Sequence, residues 1–224
     1  MGRKHFRDSI KRRKPQLTPR ARILIVCEGK VTEPTYFEEM ARQERARVEV
    51  VVKGHSGVPK TIVERAVQLK KEADNVAKHE KDDFLKYDEV WCVFDIDEHP
   101  NIPDAIQQAK AHGLGLAISN PCFELWVLLH FQDQRQHLER NHVAEYCRRH
   151  IPRYKKQVPF GLLSEKYTEA LKRAVELERW QKQMDRPLGN PSTGVHNLTE
   201  RIKGLGHAAV LASLQKSLQA KWAR

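Results

Sequence analysis

The sequence predicts an α/β protein: a mostly parallel sheet flanked by helices, followed by a helical C-terminal extension. Three observations carry that prediction. The runs Arg22–Cys27 and Val90–Asp97 are apolar almost throughout and rich in β-branched and aromatic residues, as strands buried on both faces are. Segments of helical periodicity separate these runs from two further strand-like stretches, and the resulting β-α-β-α-β-α-β order favours parallel pairing. Both buried runs also end in acids, Glu28 after the first and Asp95 and Asp97 in the second. In open sheets of this kind the working site lies at the carboxyl ends of the strands.

Taken in order, Arg22–Cys27 is the first strand and Glu28-Gly29 ends it. Thr32-Glu33-Pro34 opens a helix, with Thr32 as the expected N-cap, Pro34 in the first turn and Glu33 complementing the dipole. Tyr36, Phe37 and Met40 form its apolar stripe. A third strand spans 48–52, and a glycine-bearing loop containing His55 follows it. Ile62, Val63, Ala66, Val67 and Leu69 then mark an amphipathic helix over 59–73, with a charged connection to residue 86. After the strand 90–97, a helix runs from Pro103 to about His112 and Gly113 stops it. Residues 114–119 form the fourth strand. Asn120 and Pro121 read as the N-cap and first position of a buried helix that includes Glu124 and Trp126. From 133 onward the chain predicts helices over 137–150, 164–184, a stretch ending at Lys203, and 207–223. Domain organisation follows: a basic arm 1–20, a catalytic α/β domain 21–132 and a helical region 133–224.

The acids have a definite geometry. Strand side chains alternate, so Asp95 and Asp97 project to one side with Cα atoms about 6.6 Å apart. Two such carboxylates repel unless something positive sits between them. A solvated turn would also carry them; the second strand ending in an acid, Glu28, is what favours a shared site. Three carboxylates on one edge suit Mg²⁺ or Mn²⁺, which take oxygen ligands. Glu124, in an apolar helix, needs a metal, a cation or a donor, and both an active-site role and a structural ion pair meet that need.

Composition narrows the function classes. The net charge is +11, and residues 1–20 hold eight Lys and Arg against one Asp, a balance of +7. That arm has too little apolar surface to fold alone, and it suits either solubility or a polyphosphate backbone. No apolar run reaches membrane-spanning length and no secretory leader is read, so the expectation is a cytoplasmic protein without membrane contact. The four cysteines, Cys27, Cys92, Cys122 and Cys147, show no C-x-x-C pairing and read as packed thiols. A Walker pattern and a G-x-S-x-G elbow are both absent from the sequence. His55, His99 and His130 are candidate bases, though lone histidines in such settings are more often structural. Lys155 and Lys156 form a further basic stretch.

An acid-glycine pair after the first strand with Asp-x-Asp ending a later one resembles the Toprim domain of topoisomerases, primases and OLD-family nucleases. The fuller wording resembles the RloB-like family. It comprises Ile25-Val26-Cys27-Glu28-Gly29, Thr32-Glu33-Pro34-Tyr36-Phe37, Phe94-Asp95-Ile96-Asp97-Glu98-His99, Ser119-Asn120-Pro121-Cys122-Phe123-Glu124-Leu125-Trp126 and Asn190-Pro191-Ser192-Thr193. The resemblance implies that Glu28 is a general acid or base and a metal ligand, that Asp95 and Asp97 are Mg²⁺ ligands, and that Glu124 is an added acid near the metal. It further implies an antiphage endonuclease of RNA, such as tRNA, or DNA, controlled by an RloA-like ATPase. The alternative is a catalytically silent nucleic-acid-binding regulatory subunit of such a complex. Homo-oligomerisation is left open.

Overall fold

A computed structural model of the chain describes residues 21–52, 58–96, 102–152, 154 and 158–204. The arm 1–20, His55, Asp97, His99, Lys155, Lys156 and the helix expected over 207–223 lie outside the described residues.

Five strands form one sheet in the order β2-β1-β3-β4-β5. The strands β1 (Arg22–Cys27), β2 (Arg47–Val52), β3 (Glu89–Asp95) and β4 (Gly115–Asn120) are parallel. The last strand, β5 (Ser192–Thr193), adds two residues antiparallel to β4. The chain passes from β1 to β2 on one side and returns to place β3 on the other side of β1. The strand order therefore reverses between β1 and β3, the position at which open α/β sheets bind their ligands.

Side-chain alternation divides the core in two. On one face Leu24, Val26, Cys92, Phe94 and Ile118 pack against α2 (Pro59–Glu80) and α3 (Ile102–Ala111), which contribute Ile62, Val63, Ala66, Ala105 and Ala109. On the other face Ile23, Ile25, Val93 and Ala117 meet α1 (Thr32–Glu44) through Tyr36, Phe37 and Met40. That second core continues without a break into α4 (Glu124–Leu129), α5 (Arg140–His150), α6 (Phe160–Glu165), α7 (Tyr167–Gln183) and a helix over 195–204. At the amino ends of the strands, Gly115 lies under the Trp91 indole, where a Cβ would collide with the ring.

Several local expectations are corrected. Thr32 is the first residue of α1 and not its N-cap, a position taken by Val31, because the Thr32 hydroxyl is spent on Glu124. Asn120 ends β4 and its amide donates to the Leu188 carbonyl at 2.8 Å, so it caps no helix; α4 begins only at Glu124. The helix expected over 59–73 continues to Glu80, where Lys81 closes it in the left-handed conformation, and a single 3-10 turn, Asp83–Leu85, follows. The long helix expected over 164–184 is broken at Lys166 into α6 and α7, and the helix expected from 137 begins at Arg140. The edge strand β5 has no counterpart in the sequence reading, since two polar residues carry no periodic signal.

Candidate functional site

The carboxyl ends of β1 and β3 bring acids together by strand pairing. The ladder between these strands runs one residue past β1, with Glu28 N–H donating to the Val93 carbonyl at 2.9 Å. Glu28 is thereby placed beside Asp95, the last residue of β3, whose N–H donates to Glu28 Oε2 at 3.1 Å. Asp95 is 8% exposed. Burial pushes its carboxyl well above the usual range, and Glu33, Glu124 and Glu28 push it further, while Arg140 pulls it back. The Arg140 guanidinium lies 2.9 Å from Asp95 Oδ2. Asp97 lies outside the described residues.

Glu33 is the acid that sequence reasoning passed over as a dipole-complementing residue. It is 6% exposed, and its carboxyl is pushed up to about 7. Burial is the main cause, with the neighbouring Glu124 and Glu28 adding to it, while the N–H groups of Glu33 itself and Gly29 act in the opposite direction. A Cβ on Gly29 would collide with the Glu33 carboxylate, so only glycine leaves room for this acid to fold over the turn after β1. The available signal was its place one turn ahead of the Tyr36-Phe37 stripe, which aims that part of α1 at the core.

Glu124 opens α4 and lies with these acids: Thr32 Oγ1 donates to its Oε1 at 3.3 Å. The phenol oxygen of Tyr154 is buried nearby without a hydrogen-bond partner among the described residues, and both burial and Glu124 raise its pKa. His130 stands at the other end of α4, 2% exposed, with Nδ1 at 2.9 Å from the Trp126 carbonyl. Burial drives its pKa down to about 4, which keeps the imidazole neutral. All four cysteines are free and buried.

Among the described residues no group of three or more His, Cys, Asp or Glu side chains stands in a geometry that could hold a metal ion. The chemistry of the donor set nonetheless suits a hard divalent cation: the donors are anionic oxygens, buried, mutually repelling and only partly neutralised. A cavity of about 270 Å³ bounded by Ile106, Leu116, Ile118, Leu188 and Ser192 lies on the α2/α3 face of the sheet, apart from the acids. No described helix is long and apolar enough to cross a membrane.

Fold and site together define an α/β protein with a buried acidic cluster at the switch point of a mostly parallel sheet. The RloB-like protein family model matches residues 23–202, so the chain belongs to the RloB-like family. No curated protein and no solved structure matches it significantly.

Proposed function

We infer that this chain is a Toprim-type, metal-dependent phosphodiesterase. It cleaves nucleic acid, either RNA such as tRNA or DNA, as an effector of antiphage defence under a partner ATPase. The observation that carries this reading is the pairing of Glu28 and Asp95 at the one point of the sheet where strand order reverses. The defence setting is what the resemblance to the RloB-like family implies, and the uneven positive charge supports a polyphosphate partner.

Glu28, Asp95 and Asp97 would hold Mg²⁺ or Mn²⁺. Such an ion supplies polarisation of a phosphoryl oxygen and a water of lowered pKa. The chain's own groups do the rest. The Asp95 N–H fixes the orientation of the Glu28 carboxylate, and Arg140 fixes that of Asp95. Glu33, beside Glu28 and Glu124, would take a proton from the attacking water as its oxygen bonds to phosphorus. The bond from phosphorus to the departing sugar oxygen then breaks, and that oxygen is protonated from solvent.

The test compares the full chain with its Asp95→Asn and Glu28→Gln variants on tRNA, single-stranded RNA and plasmid DNA in Mg²⁺ or Mn²⁺. Each variant should remain folded and bind nucleic acid, since phosphate contacts come from Lys and Arg. Each should lose cleavage by about a hundredfold or more, as disruption around a metal centre does at its upper range. One observation favours a second reading, a silent regulatory subunit: Asp95 already has a cationic partner in Arg140. Stable variants that cut at the parental rate would exclude this site in favour of another centre, such as Lys155 and Lys156, whereas a parental protein that binds and never cuts would establish the second reading.

A further inference from the structure

Arg140 is the first residue of α5, an eleven-residue helix, and a cation there faces the unfavourable end of the helix dipole. Among the contacts that oppose this is its ion pair with Asp95, at 2.9 Å. The two partners differ sharply in exposure: the Arg140 side chain is 46% exposed and that of Asp95 is 11% exposed. A half-exposed arginine side chain therefore pairs with a buried carboxylate that is crowded by Glu28, Glu33 and Glu124.

We propose that Arg140 is an exchangeable cation: it neutralises Asp95 until a divalent ion takes that carboxylate, and it then turns to the phosphate of the bound strand. This rests on the metal-centre reading above and gives Arg140 a positioning role within it. The direction of exchange follows from charge. Arg140 brings one positive charge to the acidic cluster, whereas a divalent ion brings two charges at shorter range. A guanidinium released from a carboxylate offers the same fork of donors to a phosphate, which has matching geometry. Its exposure leaves it room to make that turn. Binding of metal would thus create a phosphate contact that the metal-free protein lacks, coupling the two ligands.

A purely structural ion pair between α5 and β3 has a different signature. Removing Arg140 would then loosen the site and weaken metal and nucleic acid alike, irrespective of each other. Exchange predicts effects of opposite sign.

The test uses full-length protein and its Arg140→Gln and Arg140→Lys variants. Mn²⁺ binding is read from the spin-resonance signal of the free ion, and binding of a labelled thirty-nucleotide single strand is read by anisotropy. Arg140→Gln should bind Mn²⁺ about tenfold more tightly than the parent, because the competing charge is gone, and it should gain nothing in an Asp95→Asn background. The strand should bind equally to parent and Arg140→Gln in EDTA, yet about tenfold more weakly to the variant in Mn²⁺. Arg140→Lys keeps the charge and should stay within about twofold of the parent for Mn²⁺, which preserves the test if the glutamine variant fails to fold. Unchanged or weakened Mn²⁺ binding by Arg140→Gln, or a loss of strand binding that is the same with and without Mn²⁺, overturns the exchange alone. Should neither the parent nor Arg140→Gln bind Mn²⁺, the metal-centre reading falls and the exchange falls with it.

Discussion

Glu33 shows how strongly a single residue's protonation can couple to the stability of this fold. Unfolded, its carboxyl returns to the ordinary value of 4.5, whereas in the fold it stands at about 7. Between those values the folded chain holds a proton that the unfolded chain has released. Stability therefore falls as pH rises through that window and stays reduced above it. For the protein in EDTA we expect Glu33 to lower stability at pH 8 relative to pH 5 by on the order of 3 kcal/mol, while His130, buried neutral, acts in the opposite direction up to its unfolded value of 6.5. In Glu33→Gln the decline should be shallower, leaving the part due to Asp95, whose carboxyl is also raised. Urea unfolding of both proteins at the two pH values measures this; a parental pH dependence no different from that of Glu33→Gln would show that Glu33 is not buried as an acid. Sequence alone placed Glu33 at the start of a helix, but its burial depends on Gly29 and on the arrival of Glu124 from 91 residues away, which no local pattern encodes.

At the scale of elements, the strands that build the site were the legible ones. Strands β1, β3 and β4 are buried on both faces, so they spell themselves as continuous apolar runs, and their order fixed which edge would carry Glu28 and Asp95. What stayed hidden was defined by partners and not by periodicity. Strand β5 exists because Ser192 and Thr193 pair with Asn120 and Ser119, and α4 starts late because Asn120 is drawn to Leu188. One contact at the amino end of the sheet makes a clean element-level prediction. Trp91 lies across Gly115, and its indole N–H donates to Glu89, which is itself held by Arg201. The ring has little freedom to retreat, so Gly115→Ala should cost about 1–3 kcal/mol as overpacking. Denaturant midpoints would measure that loss. Nucleic-acid binding per folded molecule should be unchanged, because the acids sit at the opposite ends of these strands.

For the whole molecule, the charge distribution makes the long-range prediction. The first 20 residues carry a balance of +7, leaving +4 for the other 204. Deleting residues 1–20 should weaken nucleic-acid binding and flatten its dependence on salt, while thermal unfolding is unchanged. Anisotropy titrations between low and moderate salt measure the slope, and a slope unaltered by the deletion would assign the arm another purpose. The edge strand carries a consequence of a different kind, one of timing. Ser119 waits for Thr193, its partner 74 positions later. At about 5–20 residues per second of synthesis, β4 spends roughly 4–15 s with that border unpaired. A message cut short before codon 192 would leave it so permanently, exposing a template to which other unfinished chains can add. The last of the described strands to be translated is thus also the one that shields the sheet from its own copies on the ribosome.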